Sequence, residues 1–83
     1  MNEMNEMMNG MMEQFAGMFW TDDREMFEYI AEVAGQYDLY IGFCNDEYAT
    51  IEDEDGQVEM TLYFGQAGRT MWVQRAESKT LWM

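Results

Sequence analysis

The chain has 83 residues, with 17 Asp or Glu against four Lys or Arg and no His, giving a formal net charge of −13. Apolar residues make up 48% of it and aromatic residues 16%, which excludes the composition of a disordered acidic tail. The same charge excludes nucleic-acid binding through a basic surface, because Arg24, Arg69, Arg75 and Lys79 cannot make a basic patch against 17 carboxylates. One domain over 1–83 is expected, with a small core, since a chain of this size buries only about 60% of its unfolded surface. The single cysteine, Cys44, forbids an internal disulfide and fits a reducing compartment. With no histidine, zinc sites of four cysteines or of two cysteines and two histidines are excluded, and no cofactor or metal is expected. No apolar run approaches the roughly 20 residues of a membrane span. The N-terminus lacks a basic segment followed by a leucine-rich stretch, so the expected location is cytoplasmic, away from membranes.

Residues 2–19 place Met4, Met7, Met8, Met11, Phe15, Met18 and Phe19 at helical spacing, with Asn5, Glu6, Asn9 and Glu13 mostly opposite. This predicts a Met-rich helix over 1–19, weakened at Gly10 by about 1 kcal/mol relative to alanine. A second helix is expected over 21–35. Thr21 or Asp22 reads as its N-cap, Asp22 and Glu25 have capping-box spacing, and Gly35 is the expected residue just past its end. Its inner face is Met26 or Phe27, Ile30, Ala31 and Ala34.

From Tyr37 the hydrophobic period changes from 3.6 to 2, predicting four strands within 37–77 and a tail over 78–83. Leu39, Ile41 and Phe43 alternate with Tyr40, Gly42 and Cys44; Ala49 and Ile51 with Tyr48, Thr50 and Glu52. Val58, Met60, Leu62 and Phe64 alternate with Glu59, Thr61 and Tyr63; Met71 and Val73 with Thr70, Trp72 and Gln74. Asp55-Gly56 between two alternating runs is a strong hairpin signal. A two-residue loop there sets Glu54 against Gln57, Glu52 against Glu59, Thr50 against Thr61, Tyr48 against Tyr63, Ile51 against Met60 and Ala49 against Leu62. A loop at Ala67-Gly68 sets Phe64 against Met71, Leu62 against Val73 and Tyr63 against Trp72. A three-residue loop at Asn45–Glu47 sets Ile41 against Ile51 and Tyr40 against Glu52. All three registers agree on which face is apolar, and a one-residue slip in any of them would break that agreement. The expected fold is therefore α+β: two N-terminal helices packed on one face of a four-stranded antiparallel meander, in the order α-α-β-β-β-β. The other face is left open, with Tyr40, Tyr48, Tyr63 and Trp72 beside Glu52, Glu54 and Glu59.

Several chemistries fail on residue type or spacing. The acidic run Glu52-Asp53-Glu54-Asp55 is not a calcium loop, since Ile51 stands at its first ligand position and its closing Glu is missing. Ser, Cys or Lys nucleophiles normally recruit a base such as His, so no enzyme is expected. The Met4, Met7, Met8, Met11 and Met12 cluster has thioethers that suit Cu(I), but without His or Cys it reads as core or as a partner-binding surface. Asp22, Glu25, Glu28 and Glu32 form a stripe on the second helix whose members rise by about 4.5 to 6 Å, comparable with successive phosphates on a strand. Asp46, Glu47, Glu52, Asp53, Glu54, Asp55 and Glu59 add a second acidic concentration around the hairpins.

In its size, its acidity, its aromatic content and these acidic runs, the chain resembles small phage-encoded inhibitors of DNA-acting host systems. These are the anti-CRISPR, anti-restriction and uracil-DNA glycosylase inhibitor proteins, several of which mimic DNA. The resemblance is one of class, with no motif matched residue by residue. It implies a non-catalytic inhibitor of a larger basic nucleic-acid-binding protein, such as a CRISPR effector, a restriction enzyme or a nuclease, acting in the host cytoplasm without binding nucleic acid itself. The acidic residues above, with Tyr40, Tyr48, Tyr63 and Trp72, are its expected contact surface. Two alternatives stand beside it: an interaction or homodimerisation module built on the Met-rich helix, and an immunity protein for a basic nuclease toxin, which would use the same electrostatics.

Overall fold

The computed structural model describes residues 3–55 and 58–80. Helix α1 covers Glu3–Phe15 and α2 covers Asp23–Gly35; the strands are β1 Tyr40–Cys44, β2 Tyr48–Glu52, β3 Val58–Ala67 and β4 Thr70–Thr80. The sheet is antiparallel in the order β1-β2-β3-β4, with α1 packed mainly on β4 and α2 on β1. The α+β architecture is that expected from the hydrophobic periods.

Helix α1 stops earlier than its methionine stripe. Gly17 takes φ 76°, a left-handed conformation that costs glycine little, and Met18 N–H bonds Phe15 O at 3.1 Å. The stripe residues Met18 and Phe19 therefore leave the helix. Trp20 then exchanges two backbone hydrogen bonds with Met71, of 2.9 and 2.7 Å, along the outer edge of β4.

Helix α2 starts where the cap predicts. Asp22 is extended, and its Oδ1 accepts from Arg24 N–H at 2.8 Å. Its end differs: Gly35 remains helical, and the left-handed residue is Asp38 at φ 62°. Leu39 N–H reaches Ala34 O and Asp38 N–H reaches Gly35 O, the paired bonds of a Schellman cap. Leu39 and Ala34 are both buried, so apolar contact across the cap goes with a left-handed residue three positions past the glycine.

The β2–β3 register is the expected one at all five pairs, from Tyr48–Tyr63 to Glu52–Glu59. The Asp55-Gly56 loop and the Glu54–Gln57 pair involve residues 56 and 57, outside those described. The other two hairpins differ. Tyr40–Glu52 and Ile41–Ile51 pair as expected, but Gly42 is a bulge, so Phe43 faces Thr50 and Cys44 faces Ala49. Asn45 N–H bonds Tyr48 O, which shortens the connection to Asp46-Glu47. In the third hairpin Gly68 (φ 61°) and Arg69 form the loop, so Phe64 pairs with Val73 and Gly65 with Trp72. That is a two-residue slip from the expected register. It preserves every facing, because side chains alternate with period two. Gln74 is a second bulge, after which Tyr63 pairs with Arg75 and Glu59 with Lys79. Strand β4 thus continues through 78–80, which the sequence pattern assigns to a tail; 81–83 lie outside the described residues.

The core between the layers holds Met11, Phe15, Trp20, Met26, Ile30, Val33, Leu39, Ile51, Met60, Leu62, Met71 and Val73. No polar or charged residue is buried among those described. Burying an unpaired charge would require strong compensation.

Candidate interaction surface

The outer face of the sheet carries an aromatic row across the strands. Tyr48 sits 5.5 Å from Phe43 and 6.3 Å from Tyr63, measured between ring centroids. Phe43 joins this row because the Gly42 bulge turns it over; without the bulge it would point inward. It is 50% exposed, and Tyr40 on the same strand is 46% exposed. Beyond Tyr63 the row continues with a cation: the Arg75 guanidinium lies 4.0 Å over the Tyr63 ring and pairs with Glu77.

Trp72 occupies the far end of the face, where its indole lies across Gly65. A Cβ at position 65 would fall among the indole ring atoms, so only glycine lets the ring lie flat on the strand. Phe19 reaches round the β4 edge to meet Trp72, with ring centroids 5.8 Å apart in an edge-on arrangement. At the opposite edge the carboxylate of Glu52 lies over Gly42 in the same way, and Thr50 Oγ1 donates to it at 3.4 Å.

The expected contact residues do not form one surface. On α2, Glu25, Glu28 and Glu32 are exposed and lie opposite the buried Met26, Ile30 and Val33. Because those buried residues face the sheet, the stripe points away from it, and the outer face of the sheet looks the other way. Asp22 is occupied as the N-cap. Helix α2 runs antiparallel to β1, so its start meets the β1–β2 turn and its end meets the β2–β3 loop. At the first end Asp23 and Asp46 rim a groove of about 490 Å³ whose walls include Met26, Phe27, Ile41 and Phe43. Glu47 is held in the adjoining turn, where Asn45 Oδ1 accepts from both Glu47 and Tyr48 N–H at 2.8 Å. At the other end Asp53, Glu54 and Asp55 face Asp38 and Tyr40 across a second depression. Among the described residues no group of carboxylates and cysteine is gathered as a metal-binding cluster would be. Tyr40, Tyr48, Tyr63, Trp72 and Glu52 do share one face, and the register places Glu59 on it as well.

Arg75, Glu77, Phe43 and Phe19 belong to this face without having been singled out in the sequence, and the register adds position 79 beside it. Phe43 and Arg75 depend on bulges, and Lys79 lies in the segment read as a tail. Lys79 matters for charge: it stands opposite Glu59 in the register, so the row across the strands reads Glu52, Glu59, Lys79. The like-charged pair is therefore followed by a cation on the next strand.

Cys44 faces Ala49 and is half buried. Burial pushes its thiol pKa up, and the nearby Asp23 and Asp46 charges push it further in the same direction. A thiol held protonated is a poor nucleophile. Among the described residues no helix is long and apolar enough to cross a membrane. Comparison with protein-family models, curated proteins and solved structures gives no match to this chain.

Proposed function

We propose that this protein is a non-catalytic acidic inhibitor that occupies a basic nucleic-acid-binding groove of a larger protein, in the manner of a DNA mimic. The observation that carries the reading is an unneutralised charge spread over an elongated body. The chain carries −13 after its four cations are counted, and one of those cations, Arg75, pairs with Glu77. The molecule measures 40 × 23 × 19 Å. Along 40 Å a single DNA strand carries about 12 phosphates and a duplex about 24, so the protein matches the linear charge density of one strand. Solubility alone is met by a net charge of magnitude about 2 to 8, and charge beyond that opposes compaction. An anti-CRISPR or anti-restriction role in a phage-infected cell is the setting that best fits such a surface. An immunity protein for a basic nuclease uses the same electrostatics.

The dimerisation alternative draws less support from the packing. Met11 and Phe15 are fully consumed by the core, and Met7, Met8 and Met12 pack against it. The test is a titration against purified CRISPR effectors, restriction enzymes and nucleases over a series of salt concentrations, with duplex DNA as competitor. The expected result is a partner whose affinity falls steeply with salt and which DNA displaces. Binding that is indifferent to salt, or that persists on the DNA-loaded partner, would overturn the proposal.

A further inference from the structure

Resting on the reading of the protein as a binder of basic surfaces, the outer face identifies the side chain it receives. We propose that the notch formed by Tyr40, Phe43 and Glu52 over Gly42 is a receptor for an arginine side chain of a protein partner.

The face already holds one guanidinium. Arg75 lies 4.0 Å over the Tyr63 ring, its Nη1 pairs with Glu77 Oε2, and Tyr63 Oη donates to Glu77 Oε1 at 3.3 Å. The ring and the carboxylate are thus fixed to each other, and the guanidinium stacks on one while bonding the other. Nearer the β1 edge the same two components recur. Tyr40 pairs with Glu52 across the strands, the Glu52 carboxylate lies in the gap left by the missing side chain of Gly42, and Phe43, the next residue of β1, is on the same face with its ring against Tyr48. Both rings are about half exposed, and Thr50 Oγ1 steadies the carboxylate. Among the described residues no cation is paired with Glu52.

Charge complementarity names the occupant. A carboxylate beside two exposed rings, in the field of −13 charges, attracts a cation and repels a phosphate or a carboxylate. A guanidinium fits better than an ammonium because it is planar, stacks on an aromatic face and presents a fork of donors to a carboxylate. Strand β1 is an edge strand, so the notch opens sideways as well as outward and admits a side chain projecting from the wall of a groove.

The experiment titrates the full chain with hexa-arginine and with hexa-lysine peptides, following the aromatic resonances of Tyr40 and Phe43 by NMR. The expected result is that hexa-arginine moves those resonances and binds about threefold tighter than hexa-lysine, the scale of an exposed cation–π contact. Glu52→Gln should abolish that preference, while Glu13→Gln, an equal charge change at an exposed position of α1, should leave it intact. Amide spectra of both variants establish that each is folded. Equal affinities for the two peptides, or equal effects of the two substitutions, would overturn the notch and leave the acidic-surface reading standing. Binding of both peptides that ignores salt would overturn that broader reading as well.

Discussion

Raising salt should stabilise this protein. The perturbation is sodium chloride between 0.1 and 1 M, and its expected size follows from the charge and the dimensions. The folded chain has a radius of gyration of 12.3 Å and a net charge of −13. Spread over a sphere of that size in water, the charge carries a self-repulsion of about 8 kcal/mol at 0.1 M salt. The same charge on an unfolded chain, whose radius of gyration is about 28 Å, costs only about 2 kcal/mol. Electrostatics therefore opposes folding by about 6 kcal/mol at that salt. At 1 M the screening length falls to about 3 Å and the penalty to about 3 kcal/mol. The fold should gain about 3 kcal/mol, a large share of the roughly 4 to 12 kcal/mol available to a chain of this length. Urea is the denaturant to use, since it leaves ionic strength unchanged. With a slope near 1 kcal/mol per molar, the midpoint should move up by about 3 M. Screening predicts most of the gain early, flattening as salt rises. A midpoint that stays put would refute the reasoning, for it would mean the carboxylates are neutralised within the fold. A gain strictly linear in salt concentration would also refute it, because that is the signature of salt acting on apolar burial.

Four further outcomes follow from particular contacts. Glu52→Lys should stabilise by about 0.2 to 1 kcal/mol in thermal melts, because it turns the pairing with Glu59 from repulsive to attractive. Glu59→Lys should give no such gain, since position 59 also faces Lys79; equal gains from both would contradict the register. Gly65→Ala should cost about 1 to 2 kcal/mol and weaken the near-UV circular dichroism, because the new Cβ displaces the Trp72 indole from the strand and from Phe19. An undiminished near-UV signal at unchanged stability would contradict that close approach. Ile30 is fully buried, so Ile30→Ala should lose about 2 to 5 kcal/mol. Far-UV circular dichroism should then show the variant unfolding at low salt and regaining structure as salt is added. Cys44, with its thiol pKa raised, should react with iodoacetamide more slowly in the folded chain than in urea at mildly alkaline pH. The folded rate should catch up only above the ordinary thiol range, and a faster native rate would contradict the cause given for the shift.

Much of the fold was legible because its signals are local. The Asp22 cap needs only its own side chain and the next backbone N–H groups. The β2–β3 register needs only two alternating runs and a turn between them. Even the slipped β3–β4 hairpin kept Met71 and Val73 buried, because a slip of two residues preserves alternation. The candidate site was less legible. Its aromatic members Tyr40, Tyr48, Tyr63 and Trp72 were readable as the polar-side partners of an apolar face. Phe43 was not, because an alternating pattern assigns it to the core, and a single inserted residue at Gly42 reverses that assignment.

The sequence by itself determined the charge, the two periods, the element order and the apolar face of the sheet, since these follow from composition and from side-chain spacing along the chain. Only the tertiary structure decided where α1 ends, where the bulges at Gly42 and Gln74 fall, and which acidic residues share a surface. These are settled by contacts between elements and not by spacing within one: Trp20 lies against Met71, the Glu52 carboxylate packs over Gly42, and α2 lies on β1. The acidic stripe of α2 and the aromatic face of the sheet look in opposite directions because a helix that buries its apolar side on a sheet must turn its polar side away.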